Sequence, residues 1–233
     1  KLTCTQEVMG SLSPEAFAYR SEYSTSMIVL VCRAAIEKLL TEGGVAAIAD
    51  GDESDAYFRA KREEAEKVLP IHHMVWNFGP WAAKWYGGQR FRAATTDGLT
   101  RLYKLDEGWP QGCGFSPDAY QAIGTILDAA LPLSSSVTFE EGGQQIPATK
   151  FSFSDDRRFL EGSVEELAGT TKLVEKGSRR LGRIVHPDKQ AFACLLLKEE
   201  RVQQVEVPVT GYDDSVTTMG PPALVGVLLL GCL

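Results

Sequence analysis

Two adjacent aspartates, Asp155-Asp156, interrupt the run Ala148-Thr149-Lys150-Phe151-Ser152-Phe153-Ser154-Asp155-Asp156-Arg157-Arg158-Phe159-Leu160. The aromatic and apolar residues on both sides favour strands, so the spacing predicts a hairpin over 148–153 and 157–160 with the acid pair at its bend. Two carboxylates on a tight turn repel each other unless solvent or a cation holds them. Magnesium, a hard ion that takes oxygen ligands, suits such a turn. An Asp-Asp pair by itself is usually a solvated turn, and Tyr212-Asp213-Asp214 is read that way.

The neighbours of the first pair set it apart. Upstream, Val45-Ala46-Ala47-Ile48-Ala49-Asp50-Gly51-Asp52-Glu53-Ser54-Asp55-Ala56-Tyr57-Phe58 reads as a strand that delivers carboxylates to its C-terminal end, before a charged helix starts near Arg59. Asp50 and Asp52 both end that strand, and composition does not separate them as a third carboxylate. Between the two acidic segments lies Trp109-Pro110-Gln111-Gly112-Cys113-Gly114-Phe115-Ser116-Pro117, a Pro/Gly loop opening a helix with Pro117 in its first turn. Such a loop suits close approach to a ligand.

In this order the three segments resemble the palm of reverse transcriptases. Asp52, Ala56 and Tyr57 match the family's Asp-x-x-x-Ala-(Tyr/Phe) motif, Pro110-Gln111-Gly112 with Ser116-Pro117 its Pro-Gln-Gly loop, and Phe153-Ser154-Asp155-Asp156 its aromatic-x-Asp-Asp box. Phe17-Ala18-Tyr19-Arg20 with Ser24-Thr25, Leu181-Gly182-Arg183-Ile184-Val185-His186-Pro187-Asp188-Lys189 and Leu224-Val225-Gly226-Val227 resemble flanking segments, the last a primer-grip strand. The long interval from Asp52 to Gln111 is similar to non-LTR retrotransposon and group II intron enzymes. Ser154 and His186 depart from the residues common in the family.

The resemblance implies an RNA-directed DNA polymerase that takes an RNA template, a DNA primer and dNTPs, with two Mg2+ ions, or Mn2+ in their place. It gives Asp52 and Asp155 the bridging role and makes Asp156 the third carboxylate, with the backbone carbonyl near Glu53 as a neutral ligand. Its spacing to Ala56-Tyr57 selects Asp52 over Asp50. Tyr57, beside the small Ala56, becomes the deoxyribose gate; without the motif it reads as a core aromatic at a strand end. Asp55 either holds the triphosphate through its amide or caps a helix. Gln111 and Gly112 would contact nucleotide and template base, the glycine because a residue without Cβ lets backbone approach closely. Lys189 is a candidate general acid for pyrophosphate or a plain surface lysine, and Arg20 a candidate phosphate contact.

The remaining residues predict an α+β chain: a polymerase palm with an antiparallel sheet backed by helices, plus part of the fingers, with the thumb absent. Residues 1–44 read as a partial fingers segment and long helix, and 45–233 as the palm with an inserted fingers-like hairpin about 87–106. Ser24 caps a helix that stops at Gly43-Gly44. Helices are expected over 59–69, 71–86, 115–131 and, from a Ser163/Glu166 capping box, to about 181. Strands are expected over 89–93 and 101–105 around Asp97-Gly98, over 191–197 and 201–207, and over 223–230, with a polar Gly-rich stretch at 140–145. A start at Lys1 and an end inside an apolar segment fit a piece of a longer polyprotein.

A length of 233 residues with 44% hydrophobic content supports one sizeable core or a core plus a small lobe. The apolar C-terminal segment is shorter than the roughly 20 residues of a membrane span, and no signal segment opens the chain, so an intracellular protein is expected, nuclear if the element is eukaryotic. The five scattered cysteines show no zinc spacing. A net charge of −7 runs against nucleic-acid binding taken globally, yet Arg90, Arg92, Arg101 and Lys104 cluster on one hairpin and Lys172, Lys176, Arg179, Arg180, Arg183 and Lys189 along a helix and the turn after it. Each cluster is either a solvated face or a nucleic-acid path. The alternative to an active enzyme is a decayed palm that binds nucleic acid or a partner without turnover.

Overall fold

The run from Val45 is apolar at almost every position, which suits a strand covered on both faces rather than one. In the computed structural model it is β1 (Val45–Gly51), the middle strand of a five-stranded sheet. The structure describes residues 16, 18, 23–68, 84–104, 107–110, 112–131, 137–186, 189–205, 208–210 and 216–218. Strands β2 (Lys150–Phe153), β3 (Asp156–Glu161), β4 (Ala191–Lys198) and β5 (Arg201–Val205) complete the sheet in the order β5-β4-β1-β3-β2. Every neighbouring pair is antiparallel.

One face of the sheet packs on helix α1 (Thr25–Gly43). Cys32, Ala35, Ile36, Leu39 and Leu40 recur at the three- and four-residue spacing of one helical stripe, and they share a core with Ala46 and Ile48 of β1, Leu160 of β3, and Ala193 and Leu195 of β4. Ser24 Oγ accepts from the Met27 N–H at 3.3 Å, the expected N-cap. The Gly44 N–H closes the other end on the Leu40 carbonyl. The opposite face, with Ala47, Ala49 and Phe159, is also buried. There Thr170 of helix α3 (Val164–Arg180) donates to Glu161 of β3 at 2.7 Å. The Ser163/Glu166 capping box that starts α3 is formed.

The chain divides into two compact units. The described residues of 14–53, 130–178 and 185–233, with the sheet and α1, form one; those of 54–129 and 179–184 form the other. The second unit holds short helices Ala56–Arg59 and Arg62–Val68 and nearly all of helix α2 (Ser116–Ala130), whose Tyr120, Ile123 and Leu127 are fully buried. It also carries a ribbon in which Arg90–Phe91 pairs with Tyr103–Lys104, and Ala94–Thr95 with Gly98–Leu99.

Two local expectations change. The charged helix breaks at the buried Ala60, where the Lys61 N–H donates to the Leu181 carbonyl instead of continuing the helix. The Gly-rich stretch at 140–145 is a hairpin, Thr138–Glu141 against Gln144–Pro147 around Gly142-Gly143, a pair suited to a two-residue turn. The helix expected over 71–86 lies mostly outside the described residues, as do the strand over 223–230 and the primer-grip segment.

Candidate active site

Strand pairing brings the sequence-distant acids to one end of the sheet. Gly51, the last residue of β1, is opposite Arg157 of β3, so Asp52 leaves the sheet beside the hairpin that carries Asp155 and Asp156. The bend of that hairpin is Ser154-Asp155, with Phe153 opposite Asp156. Asp156 therefore begins the strand rather than sharing the turn. Ser154 has φ +62, the left-handed value that two-residue hairpin turns require.

Period-two alternation puts Asp156, Arg158 and Leu160 on the α1 face of β3 and turns Arg157 to the other face. Each arginine there meets an acid. Arg158 Nε and Nη2 donate to Asp50 Oδ1 and Oδ2 at 2.5 and 2.6 Å, a bidentate pair across the strands. Burial would lower the Arg158 value, but the Asp50 hydrogen bond and charge outweigh it and hold the guanidinium above its ordinary value. Each Asp50 oxygen thus accepts from Arg158, while Asp52, the residue that the spacing to Ala56-Tyr57 selects, is paired with a lysine. Arg157 lies 3.4 Å from the buried Glu53 carboxylate, so of Glu53 only the backbone carbonyl remains a candidate ligand.

Asp52 Oδ2 accepts from Lys189 Nζ, and its carbonyl accepts from the His186 N–H at 2.7 Å. Lys189 is exposed, and the bond to Asp52 holds its ammonium above the ordinary lysine value. The Asp156 carboxyl is pushed above the usual carboxylate range, first by partial burial and then by Asp155, Asp52 and Asp50, against a smaller opposing effect of Lys189. Asp156 therefore senses the charge of three other carboxylates.

A cleft of about 600 Å³ opens at this end of the sheet, lined by Ile28, Val29 and Cys32 of α1, by Phe151 and Phe153, and by the charges of Asp50, Asp52, Asp156, Arg158 and Lys189. Burial pushes the Cys32 thiol up to about 11, against the opposing effect of Arg158 and with a smaller push from Asp50. The donor set is all carboxylate, which fits magnesium better than a softer metal. Lys189 is at present the cation on Asp52, and among the described residues no group of three His, Cys, Asp or Glu side chains is gathered tightly enough to hold an ion.

The folded state binds the Asp156 proton more tightly than the unfolded chain does. This group thus costs stability at neutral pH, and that cost is relieved as pH falls through its raised folded value. We expect Asp156→Asn to raise Tm at pH 7, by no more than about 2–4 °C because the group is half exposed. Melts of both proteins from pH 7 down to pH 3 should show the gap closing on acidification; a gap that widens would contradict the clustering of charge.

In the other unit, Asp55 has φ +49 and precedes helix Ala56–Arg59. Its side chain makes no capping bond and instead pairs with Arg59 at 3.4 Å, so the capping alternative is not what the structure shows. Ala56 is buried, and the half-buried Tyr57 ring stacks on Tyr120, centroids 4.7 Å apart. Arg183 is fully buried against that same Tyr120, donating to its hydroxyl at 2.6 Å with Cζ 4.4 Å from the ring centre. It does not belong to the exposed basic cluster of α3 in which the sequence placed it.

The Pro-Gln-Gly loop leads into α2, with the Ser116 hydroxyl donating to the Pro110 carbonyl at 2.7 Å. Gly112 is exposed with φ +79, and a Cβ there would meet nothing within 4 Å. Its backbone angle, not a close approach within this chain, is what calls for glycine. The close approach is at Gly108, where an added Cβ would fall 2.0 Å from the Phe58 carbonyl oxygen and φ is +74. The Trp109 N–H then bonds the Tyr57 carbonyl at 2.6 Å. We expect Gly108→Ala to cost at least about 1–3 kcal/mol in denaturant melts, the usual range for overpacking. Gln111 and Arg20 lie outside the described residues, as do Phe17 and Tyr19.

No protein-family model matches the sequence, and no curated protein matches it. Among solved structures the chain is similar to telomerase from Candida tropicalis truncated from its C-terminal domain, with TM-score 0.61 at 12% identity over 88% of this chain and 44% of that one. It is similar to Candida tropicalis telomerase in complex with a TWJ fragment of telomeric RNA, with TM-score 0.59 at 10% identity over 93% and 37% of the two chains. The corresponding Candida albicans complex gives TM-score 0.54 at 13% identity over 93% and 36%. The fold is that of a reverse-transcriptase-like palm. The chain spans less than half the length of those telomerases.

Of the residues that the resemblance singled out, strand pairing brings Asp52 beside the hairpin of Asp155 and Asp156, and Lys189 binds Asp52 directly. The Asp50–Arg158 pair was missed, although a two-residue period from Asp156 marks Arg158 as facing the same side. Tyr120 and Arg183 lacked any local signal, because their meeting depends on the packing of α2. Among the described residues no helix is long and apolar enough to cross a membrane.

Proposed function

We propose that this chain is the palm and part of the fingers of a reverse transcriptase, an RNA-directed DNA polymerase that transfers dNTPs onto a DNA primer along an RNA template. The observation that carries the reading is the placement of Asp52 at the end of β1 beside the Ser154-Asp155-Asp156 hairpin, on a fold shared with telomerases. Asp52, Asp155 and Asp156 are the side chains that would hold magnesium, or manganese. Bound there, the metal would supply the positive charge that activates a 3′-hydroxyl and neutralises pyrophosphate.

The remaining assignments concern the chain's own groups. Lys189 stands on Asp52 as the countercharge of the metal-free site and, once released, is the proton donor for the leaving group. The Tyr57 ring, stacked on Tyr120, is the surface on which a sugar would rest, and a 2′-hydroxyl would clash with it. The Asp55 amide and the loop at Gln111-Gly112 would meet the nucleotide, and Arg20 a phosphate. The interval between Asp52 and the loop supports a non-LTR retrotransposon or group II intron type of element as the source, with a nuclear site of action if that element is eukaryotic. A telomerase-type domain is the sister reading, favoured by the structural neighbours.

The test is incorporation of a labelled dNTP on poly(rA)/oligo(dT) with and without magnesium. Template-dependent, metal-dependent incorporation supports the reading. Hydrolysis of nucleotides without a template would replace it with a phosphohydrolase. A palm that binds without turnover is the second reading, favoured by the Lys189 ammonium on Asp52; it predicts primer-template binding with no incorporation at any metal concentration.

A further inference from the structure

Tyr57 sits on a helix of four residues, Ala56–Arg59. A single turn has no stability of its own, so the position of Tyr57 is set by what packs on that turn. Within the unit formed by 54–129 and 179–184 two segments do so. The Trp109 N–H bonds the Tyr57 carbonyl at 2.6 Å, next to the close approach of Gly108 to Phe58. At the C-terminal end of the turn the segment Leu181-Gly182-Arg183 is docked. The Lys61 N–H donates to the Leu181 carbonyl at 3.1 Å, and a Cβ at Gly182 would fall 2.5 Å from the Arg59 carbonyl oxygen.

The same docked segment reaches the Tyr57 ring. Arg183 donates through Nη2 to the Tyr120 hydroxyl at 2.6 Å, and the Tyr57 ring stacks on Tyr120 with centroids 4.7 Å apart and planes 29° from parallel. Tyr120 and Arg183 are fully buried, whereas Tyr57 keeps part of its surface open. Stacked rings tolerate a range of offsets, so the contact with Tyr120 alone leaves the upper ring free to slide. A hydrogen bond is directional, and one made to the hydroxyl of the lower ring fixes that ring in its plane. A guanidinium is an expensive group to bury, and an apolar side chain would fill the same space at lower cost. What the arginine adds is direction.

We propose that Arg183, acting through the Tyr120 hydroxyl, is a positioning residue for Tyr57 and thereby sets how strongly the site rejects a 2′-hydroxyl. Neither Arg183 nor Tyr120 touches the nucleotide; both act through the ring above them. The inference rests on the reading of Tyr57 as the surface beneath the sugar, and it adds that the discrimination depends on a buried cation supplied by the segment after α3.

The test compares dATP with ATP, which differ by the 2′-hydroxyl alone, in equilibrium binding to the full chain with poly(rU)/oligo(dA) and magnesium, and in extension of the same primer. Tyr120→Phe with Arg183→Met removes both polar partners and leaves neither stranded in the core. This double variant should bind ATP about tenfold more tightly, the scale of one hydrogen bond, with dATP within about twofold of the parent. Tyr120→Phe alone, which deletes one oxygen and keeps the stack, should move the ratio in the same direction. Tyr57→Ala should abolish the discrimination, and adding the double variant to it should change the ratio no further, because coupled residues do not add. Equal weakening of both nucleotides would reduce Arg183 to a core residue and overturn the proposal, as would an effect that persists without the Tyr57 ring. A parent that binds both nucleotides alike, or neither, overturns it together with the Tyr57 assignment. Discrimination in binding without extension sinks the polymerase and leaves Arg183 to be decided by the binding ratios; extension with an unchanged ratio in the variants sinks only Arg183.

Discussion

Asp52→Asn should abolish primer extension, a fall of at least about 10²–10³, the scale at which single electrostatic groups in active sites matter, while leaving thermal stability within about 1 kcal/mol of the parent. The two halves of this expectation have different origins. The Asp52 partner is Lys189, whose side chain is 59% exposed, and an ion pair with so exposed a member contributes little to folding. The carboxylate itself leaves the sheet beside the hairpin of Asp155 and Asp156, and its charge adds to the burial that raises the Asp156 value. A neutral amide in its place eases repulsion in the fold and removes the charge that a metal would need.

Asp50→Asn is the contrasting case. Two residues away and also an aspartate, Asp50 gives both oxygens to Arg158, so its loss should be felt in denaturant melts before it is felt in any nucleotide step. Single-turnover extension and urea titration on the two variants separate the roles. If Asp52→Asn extended primers at the parental rate, the carboxylate assignment would fall, and the same result for Asp155→Asn would remove the polymerase reading altogether.

Local chemistry made the sheet end of this fold legible. The β1 run, the apolar arms of the hairpin and the Ser24 and Ser163 caps each depend on residues within a few positions, and each forms; the ribbon turn falls one residue earlier than expected, at Thr96-Asp97 with Gly98 opposite Thr95. What the sequence concealed depends on packing between distant segments. Arg183 looked like one more surface cation because it follows Arg179 and Arg180; only the position of Tyr120 on α2 makes its burial possible. Nothing local singles out Gly108, whose need for a missing Cβ comes from the Phe58 backbone, far away in sequence. The partners of the two acids were equally hidden: Asp52 pairs with Lys189 and Asp50 with Arg158, both far away in sequence.

That pair supplies the largest stability effect we expect. Arg158→Ala should cost about 3–5 kcal/mol, the range for removing one member of a buried ion pair. Arg158 and Asp50 are only 15% and 21% exposed at their side chains, so water replaces little of the lost partner. The stranded Asp50 charge would face Cys32, which burial already keeps protonated to about 11, and would add to the negative field at Asp156. The Asp156 carboxyl should then move further above the usual carboxylate range, and the variant should lose less stability than the parent on mild acidification, because protonating Asp156 relieves more of the negative field. Urea melts with an unchanged m-value would identify the loss as folded-state electrostatics rather than a change in the denatured chain. Replacing both members, Asp50→Leu with Arg158→Met, should recover most of the loss, since desolvating two charges is itself expensive. A double variant as unstable as Arg158→Ala would mean that the pair's geometry, not its charge, anchors β1 to β3; that would make the ion pair the element that sets the separation of Asp52 from the Asp155-Asp156 hairpin.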